Sequence, residues 1–321
     1  MRIAFMGTPD FAATILKALI ESSHQVAGVV TQPDRPKGRG RRAEASPVSR
    51  LGDENGIPVV KPSSKKDPEF ALTVKAWMPQ LTVVAAYGVI LTPDLLAIAP
   101  GGNINVHASL LPKYRGAAPV QDAIIKGESI TGVTTMMMDA GLDTGDILLQ
   151  KETPIPVSMT AGELEERLAA IGTQTLLETL ARLDAKDLHA RPQDPALATY
   201  AGSLRPHEGY ILWNQRAFDT HNRIRGCTPR PGARCFFRGQ SVRIWKSEIA
   251  DCSKESCAGR QPGEIIGISS SGICVACNEN TAICLSEVQP ANKVRMSATD
   301  YVRGLRVTAG DGSHFDRNAP E

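Results

Sequence analysis

Two hydrophobic rhythms alternate through the first third of the chain. Short apolar runs at 2–6, 25–31, 57–60, 81–86 and 103–107 have the length and unbroken character of buried strands. Between them the apolar positions space out helically. Phe11, Ile15, Leu16 and Leu19 share one face after the turn Gly7-Thr8-Pro9-Asp10, and further helical stretches fall near 47–55, 67–77 and 93–98. Strand alternating with helix predicts an α/β domain whose sheet is doubly wound, mostly parallel and covered on both faces. Stretches 131–138 and 147–152 add two strands. A long amphipathic helix at 160–183 follows, with Glu163, Glu165 and Glu166 in its first turns, where the helix dipole favours them.

The rhythm changes near residue 190. His189-Ala190-Arg191-Pro192-Gln193-Asp194-Pro195 is polar and punctuated by proline, the composition of a linker. After a helix at 216–225, short strands at 233–237, 242–245, 263–269, 272–276 and 281–288 are separated by turns, which predicts a small antiparallel β-barrel. The expected organisation is a first domain over 1–188, a linker over 189–206 and a barrel domain over 207–321. The length of 321 residues is ample for two cores without staples.

Charge sharpens the division. The formal net charge is only +2, yet residues 205–246 carry nine Lys or Arg against two acidic side chains. Such a local excess suits a polyanion such as nucleic acid, and equally a solvated arginine-rich face. No stretch is long enough for a signal or membrane segment, so a cytoplasmic protein without a membrane partner is expected. All seven cysteines fall after position 226, an odd number that fits reduced thiols better than a disulfide framework. Cys274-Val275-Ala276-Cys277, with Cys252 and Cys257, invites a zinc reading. The segment alternates like a strand, however, and no metal is expected. The glycine after the first strand lacks a Gly-x-Gly-x-x-Gly pattern, which argues against dinucleotide binding.

The candidate chemistry gathers at one strand end. Asn105 and His107 alternate on the 103–107 strand and so face the same way, and ligands in doubly wound sheets sit beyond the carboxyl ends of strands. Asp143, bracketed by glycines in Gly141-Leu142-Asp143-Thr144-Gly145-Asp146, supplies a carboxylate. An amide donor, an imidazole and a carboxylate suit acyl transfer to an amine: Asn105 would hold the oxyanion, His107 would move the proton, and Asp143 would fix the imidazole tautomer. No strained nucleophile elbow is evident, which favours direct transfer. Ser109-Leu110-Leu111-Pro112 offers a hydroxyl and an apolar ledge for a flat heteroaromatic ring, or an ordinary leucine plug beneath a loop. The segment 31–42 is rich in charge and poor in anything to bury. Its Lys37, Arg39, Arg41 and Arg42 suit phosphates or a nucleic-acid end, or a solvated insertion.

These residues together resemble the methionyl-tRNA formyltransferase family. The motifs are Gly7-Thr8-Pro9-Asp10-Phe11-Ala12, the Gln32-Pro33-Asp34-Arg35-Pro36 loop through Gly38-Arg39-Gly40, Ala86-Tyr87-Gly88, the 105–112 run, Arg115-Gly116-Ala117-Ala118-Pro119-Val120-Gln121 and the 141–146 turn. The resemblance implies a formyltransferase-type Rossmann-like domain and an OB-like barrel. It implies 10-formyltetrahydrofolate as donor, the α-amino group of initiator methionyl-tRNA as acceptor, and Asn105, His107 and Asp143 as the catalytic trio. It likewise implies folate contacts at Ser109, Leu110, Leu111 and Pro112, and a pterin pocket lined by Tyr87 and Gly88. The basic loop would meet the tRNA acceptor end, with Arg39 foremost, and the positive face of the barrel would hold the tRNA. A monomer is expected. The runner-up is formyl transfer to an amino sugar nucleotide. Departures cluster late in the chain: Leu212 stands where the family has aspartate, Arg230 replaces an aromatic between prolines, and Ser203 replaces a lysine.

Overall fold

A computed structural model of the chain describes residues 1–37, 42–64, 67–251 and 257–316. The chain divides into two compact units. The first comprises Met1–Pro119, Ile130–Thr153 and Glu165–Gly202, and the second comprises Val120–Ser129, Pro154–Leu164 and Ser203–Glu321.

In the first unit, strands β1 (Arg2–Gly7) and β2 (Gln25–Val30) are followed by a two-stranded ribbon of β3 (Arg35–Lys37) and β4 (Arg42–Glu44). Then come β5 (Val59–Val60), β6 (Leu81–Ala85), β7 (Asn103–His107), the short β8 (Arg115–Gly116), β9 (Ile130–Met137), β10 (Ile147–Pro154) and β11 (Tyr200–Ala201). Seven of these form one sheet in the order β10-β9-β7-β6-β1-β2-β5. The β1–β2, β1–β6, β2–β5 and β6–β7 pairs are parallel, and β7–β9 is antiparallel. The chain starts at β1, builds outward through β2 and β5, then returns to the other side of β1 with β6. That reversal is a topological switch point, beside which such sheets open a crevice at their carboxyl ends. Tyr87 and Gly88 follow β6, and Asn105 and His107 close β7.

Local chemistry fixes these elements. Helix α1 (Asp10–Glu21) buries Phe11, Ala12, Ile15, Leu16 and Leu19, the stripe its spacing predicts. A Cβ on Gly7 would stand 2.6 Å from that of Ala12 and 2.8 Å from the Ala85 carbonyl. This glycine therefore lets the helix and a neighbouring strand close on the turn. Helices α2 (Pro47–Glu54) and α3 (Pro68–Ala76) each begin with proline after a capping side chain, Ser46 and Asp67. The four-residue α4 (Pro93–Leu96) also begins with proline. Helix α5 (Pro119–Ile125) falls almost wholly in the second unit, and the long α6 (Ala161–Asp184) starts in the second and runs mostly in the first.

In the second unit, α7 (Ala217–Gly226) precedes β12 (Ala233–Phe237), β13 (Gln240–Ile249), β14 (Ile265–Ile268), β15 (Ile273–Ala276), β16 (Ala282–Pro290) and β17 (Met296–Ser297). Helix α8 (Ala298–Gly304) and β18 (Phe315–Asp316) complete it. The strands run β14-β15-β16-β13-β12-β18, with β17 on β16. His314 bridges Glu264, and the Phe315 and Ile265 amides donate to Gly263 and Ser313 carbonyls at 2.8 and 2.9 Å. Those bonds join the two ends of the strand path, so the sheet curls into the expected small barrel and leaves little edge unpaired. Trp213, stacked on Phe315 at 5.3 Å, fills its interior.

The cysteines depart from expectation at one place. Cys257 is disulfide-bonded, whereas Cys227, Cys235, Cys274, Cys277 and Cys284 are free. Bridging is decided by local geometry, which a count of thiols does not encode. Among the described residues no group of three His, Cys, Asp or Glu is placed to hold a metal ion, and no helix is long and apolar enough to cross a membrane.

Candidate active site

Strand β7 puts polar side chains in a buried place by simple alternation. Ile104 and Val106 face one side and are buried among apolar groups, while Asn103, Asn105 and His107 face the other and are buried as well. Polar groups survive there only with partners. The Asn103 amide donates to the Leu96 carbonyl at 2.8 Å. His107 Nε2 lies 2.9 Å from the Tyr114 carbonyl. A carbonyl only accepts, so Nε2 carries hydrogen and a neutral imidazole keeps its lone pair on Nδ1. Nδ1 stands 3.7 Å from Asp143 Oδ2, and Asn105 Nδ2 donates to Asp143 Oδ1 at 3.4 Å. All three predicted side chains therefore converge. The contact that favours this tautomer comes from the Tyr114 carbonyl, where Asp143 was expected to supply it. Asp143 faces Nδ1, the nitrogen left without hydrogen in that neutral form.

The carboxylate is held in place by several bonds. Asp143 has φ 53°, a left-handed conformation that costs of order 1–3 kcal/mol for a residue with a side chain. The turn is packed so closely that a Cβ on Gly145 would lie 1.9 Å from the Met137 carbonyl. Asp139 Oδ1 accepts from the Gly141 amide at 2.9 Å and from Thr144 Oγ1 at 2.6 Å. The Gly116 amide donates to Asp143 Oδ2 at 2.8 Å. Gln193 Nε2 donates to the carbonyls of Asp143 and Gly145 at 2.9 and 2.7 Å, and Gln193 Oε1 accepts from Arg115 Nε and Nη2 at 3.1 and 2.7 Å. Tyr114, Arg115, Gly116 and Gln193 were missed as site residues. The Arg115-Gly116 motif was a signal for part of this set; for Gln193, linker composition masked it.

The residues expected around a flat ring divide into two groups. Tyr87 is buried, its phenol pushed up to about 12 by that burial and therefore neutral, and its carbonyl accepts from Gln32 Nε2 at 2.7 Å. Gly88 beside it is exposed. Leu110 and Pro112 are half-buried and leave an apolar ledge. Ser109 and Leu111 turn inward. The Ser109 hydroxyl donates to the Lys113 carbonyl at 2.6 Å, while the Leu111 amide and carbonyl engage Thr134 Oγ1 and Gln150 Nε2. They shape the ledge from beneath. Of the basic residues, Lys37 and Arg42 are backbone partners across the β3–β4 ribbon, within the segment expected to be a loop. Arg39 and Arg41 lie outside the described residues.

A parallel-rich sheet with an amide, an imidazole and a carboxylate gathered at the carboxyl end of β7 suits a group-transfer enzyme. The formyl transferase family matches residues 1–180, and its C-terminal domain matches residues 203–306. The chain is 45% identical over 313 residues to a methionyl-tRNA formyltransferase of Ruminiclostridium cellulolyticum, covering 97% of this chain and 99% of that protein. It belongs to the methionyl-tRNA formyltransferase family and is a transferase enzyme. Among solved structures, the sugar 3N-formyl transferase WlaRD, in the presence of dTDP and 5-N-formyl-THF, is similar with TM-score 0.66 and 17% identity over 92% of this chain and 99% of that one. HypX from Aquifex aeolicus in complex with tetrahydrofolic acid is similar with TM-score 0.66 and 16% identity, covering 96% of this chain and 48% of that chain. At such identities these two likenesses concern the fold.

Proposed function

We propose that the protein transfers the formyl group of 10-formyltetrahydrofolate directly to the α-amino group of methionyl initiator tRNA, with Asn105, His107 and Asp143 as the catalytic residues. The observation that carries this reading is the convergence of those three side chains at the carboxyl end of β7. The amine nitrogen attacks the formyl carbon, and the Asn105 amide donates to the oxygen as it gains charge, a contribution of about 3–4 kcal/mol for a donor of this kind. His107 Nδ1 takes the proton released by the attacking amine, opposite the Asp143 carboxylate, and passes it to the departing nitrogen. The carbon–nitrogen bond to the donor then breaks, with no bond formed to the enzyme.

The half-buried ledge of Leu110 and Pro112, next to Ser109 and Leu111 and with Tyr87 and Gly88 following β6, fits a flat apolar-faced pterin. Family membership supports the tRNA acceptor, and Lys37, Arg39, Arg41 and Arg42 are the residues proposed to meet its acceptor end. Trp245 on the barrel has the guanidiniums of Arg243 and Arg295 within 4.0 and 4.8 Å of its ring, a cationic and aromatic surface of the kind that takes nucleic acid. A formylation assay offering methionyl-tRNA and an amino sugar nucleotide side by side tests the reading. Formyl incorporation into the tRNA is expected, and incorporation into the sugar alone would overturn it.

A further inference from the structure

The contacts around the 141–146 turn single out one side chain that nothing in the motif set assigns. Gln193 lies fifty residues beyond Asp143 in a stretch of linker-like composition. Its carboxamide nevertheless has both ends engaged. The two N–H groups go to the carbonyls of Asp143 and Gly145, and the oxygen receives two N–H groups from the buried Arg115 guanidinium. The same downstream stretch holds the 114–117 backbone. The Tyr114 amide donates to Thr199 Oγ1 at 2.8 Å, the Arg115 amide to the Thr199 carbonyl at 2.8 Å, and β11 pairs with β8. That backbone in turn supplies the Tyr114 carbonyl to His107 and the Gly116 amide to Asp143. Gln193 and Arg115 thus close a ring of bonds from the strand after the histidine to the turn bearing the carboxylate.

We infer that Gln193 is a positioning residue that sets the distance of the Asp143 carboxylate from His107 Nδ1. This rests on the proposed catalytic trio. Asp143 holds a left-handed backbone conformation, and the bonds to its own carbonyl and to that of Gly145 pin the turn on both sides of Thr144. A displacement of about an ångström in such a site costs up to about a hundredfold in rate.

The test is Gln193→Glu, which keeps the length and the two acceptor contacts to Arg115 but presents an acceptor to two carbonyls. Turnover of methionyl-tRNA is expected to fall at least about tenfold while KM for the formyl donor stays within about twofold, because the turn moves and the ledge does not. In an Asp143→Asn background the same change is expected to add less than about twofold, since both act through one carboxylate. The NMR resonance of the Gly116 amide proton, held by that carboxylate, is expected to move upfield. If the glutamate variant does not fold, Gln193→Asn keeps the amide one methylene short and is expected to show the same split at smaller amplitude. Wild-type turnover with only a lowered Tm, an effect that multiplies fully with Asp143→Asn, or an unmoved Gly116 resonance would each overturn the inference. Absence of methionyl-tRNA formylation by the unaltered protein would instead count against the proposed function, and the Gly116 resonance would still decide the role of Gln193.

Discussion

The polar face of β7 and the interior of the barrel both bury their side chains, to opposite ends. On β7, Asn105 and His107 are 8% and 6% exposed, and each is held by hydrogen bonds or by a facing carboxylate. In the barrel, Trp213, Phe237 and Phe315 are almost wholly enclosed and pack ring against ring. The first arrangement concentrates polarity where water is scarce, which strengthens every dipole aimed at a reacting group and contributes little net stability. The second removes large apolar surfaces from water and contributes stability directly. Substitutions in the two regions should therefore separate: loss of rate without unfolding in one, unfolding without a change of chemistry in the other.

The largest expected effect on folding comes from Trp213→Ala. Emptying that site should cost about 3–5 kcal/mol, read from denaturant unfolding followed by circular dichroism. An unchanged midpoint would remove the contrast. Asn105→Ala is the counterpart on β7. If it is the oxyanion donor proposed above, its turnover number should fall by about 10²–10³ with Tm nearly constant, since such a donor acts only in the transition state. A matching rise in KM alone would show that Asn105 only binds substrate.

A smaller effect comes from one buried histidine in the second unit. Burial, with Arg225 nearby, holds the His221 imidazole below its usual range, and it bonds Ser247 Oγ at 3.0 Å and the Val157 carbonyl at 2.8 Å. The unfolded chain takes up a proton that the native state refuses, so this contribution is complete above the ordinary histidine value of about 6.5 and is lost as pH falls below it. His221→Gln should flatten the loss of stability between neutral and mildly acid pH in urea titrations. An unaltered pH profile would place the sensitivity elsewhere. The smallest effect is Ser46→Ala, whose hydroxyl accepts from the Ser49 amide at 3.0 Å and caps α2. About 1 kcal/mol should be lost, with formylation unchanged.

What was legible in the sequence follows the same division. The strands and helices around β1, β2, β6 and β7 announce themselves because each buries a periodic set, such as Phe11, Ile15, Leu16 and Leu19. Asn105 and His107 were legible as a pair because strand alternation puts them on one face. The two-residue pairing of Arg115-Gly116 with Tyr200-Ala201 has no period to read, and neither does the Phe315-Asp316 strand that closes the barrel. Gln193 escaped for a physical reason: prolines and polar residues mark a segment that buries little, yet a single carboxamide there can engage two carbonyls and a guanidinium. The tautomer of His107 escaped for another, since a backbone carbonyl seven residues away leaves no trace in residue type.

The central claim is that His107 moves the proton in formyl transfer, and the single-turnover rate of His107→Ala with saturating formyl donor and methionyl-tRNA tests it most directly. The rate should fall by about 10²–10⁴, the contribution of a positioned acid–base group, while the donor binds as before. Transfer at the unaltered rate by a folded His107→Ala protein would contradict it.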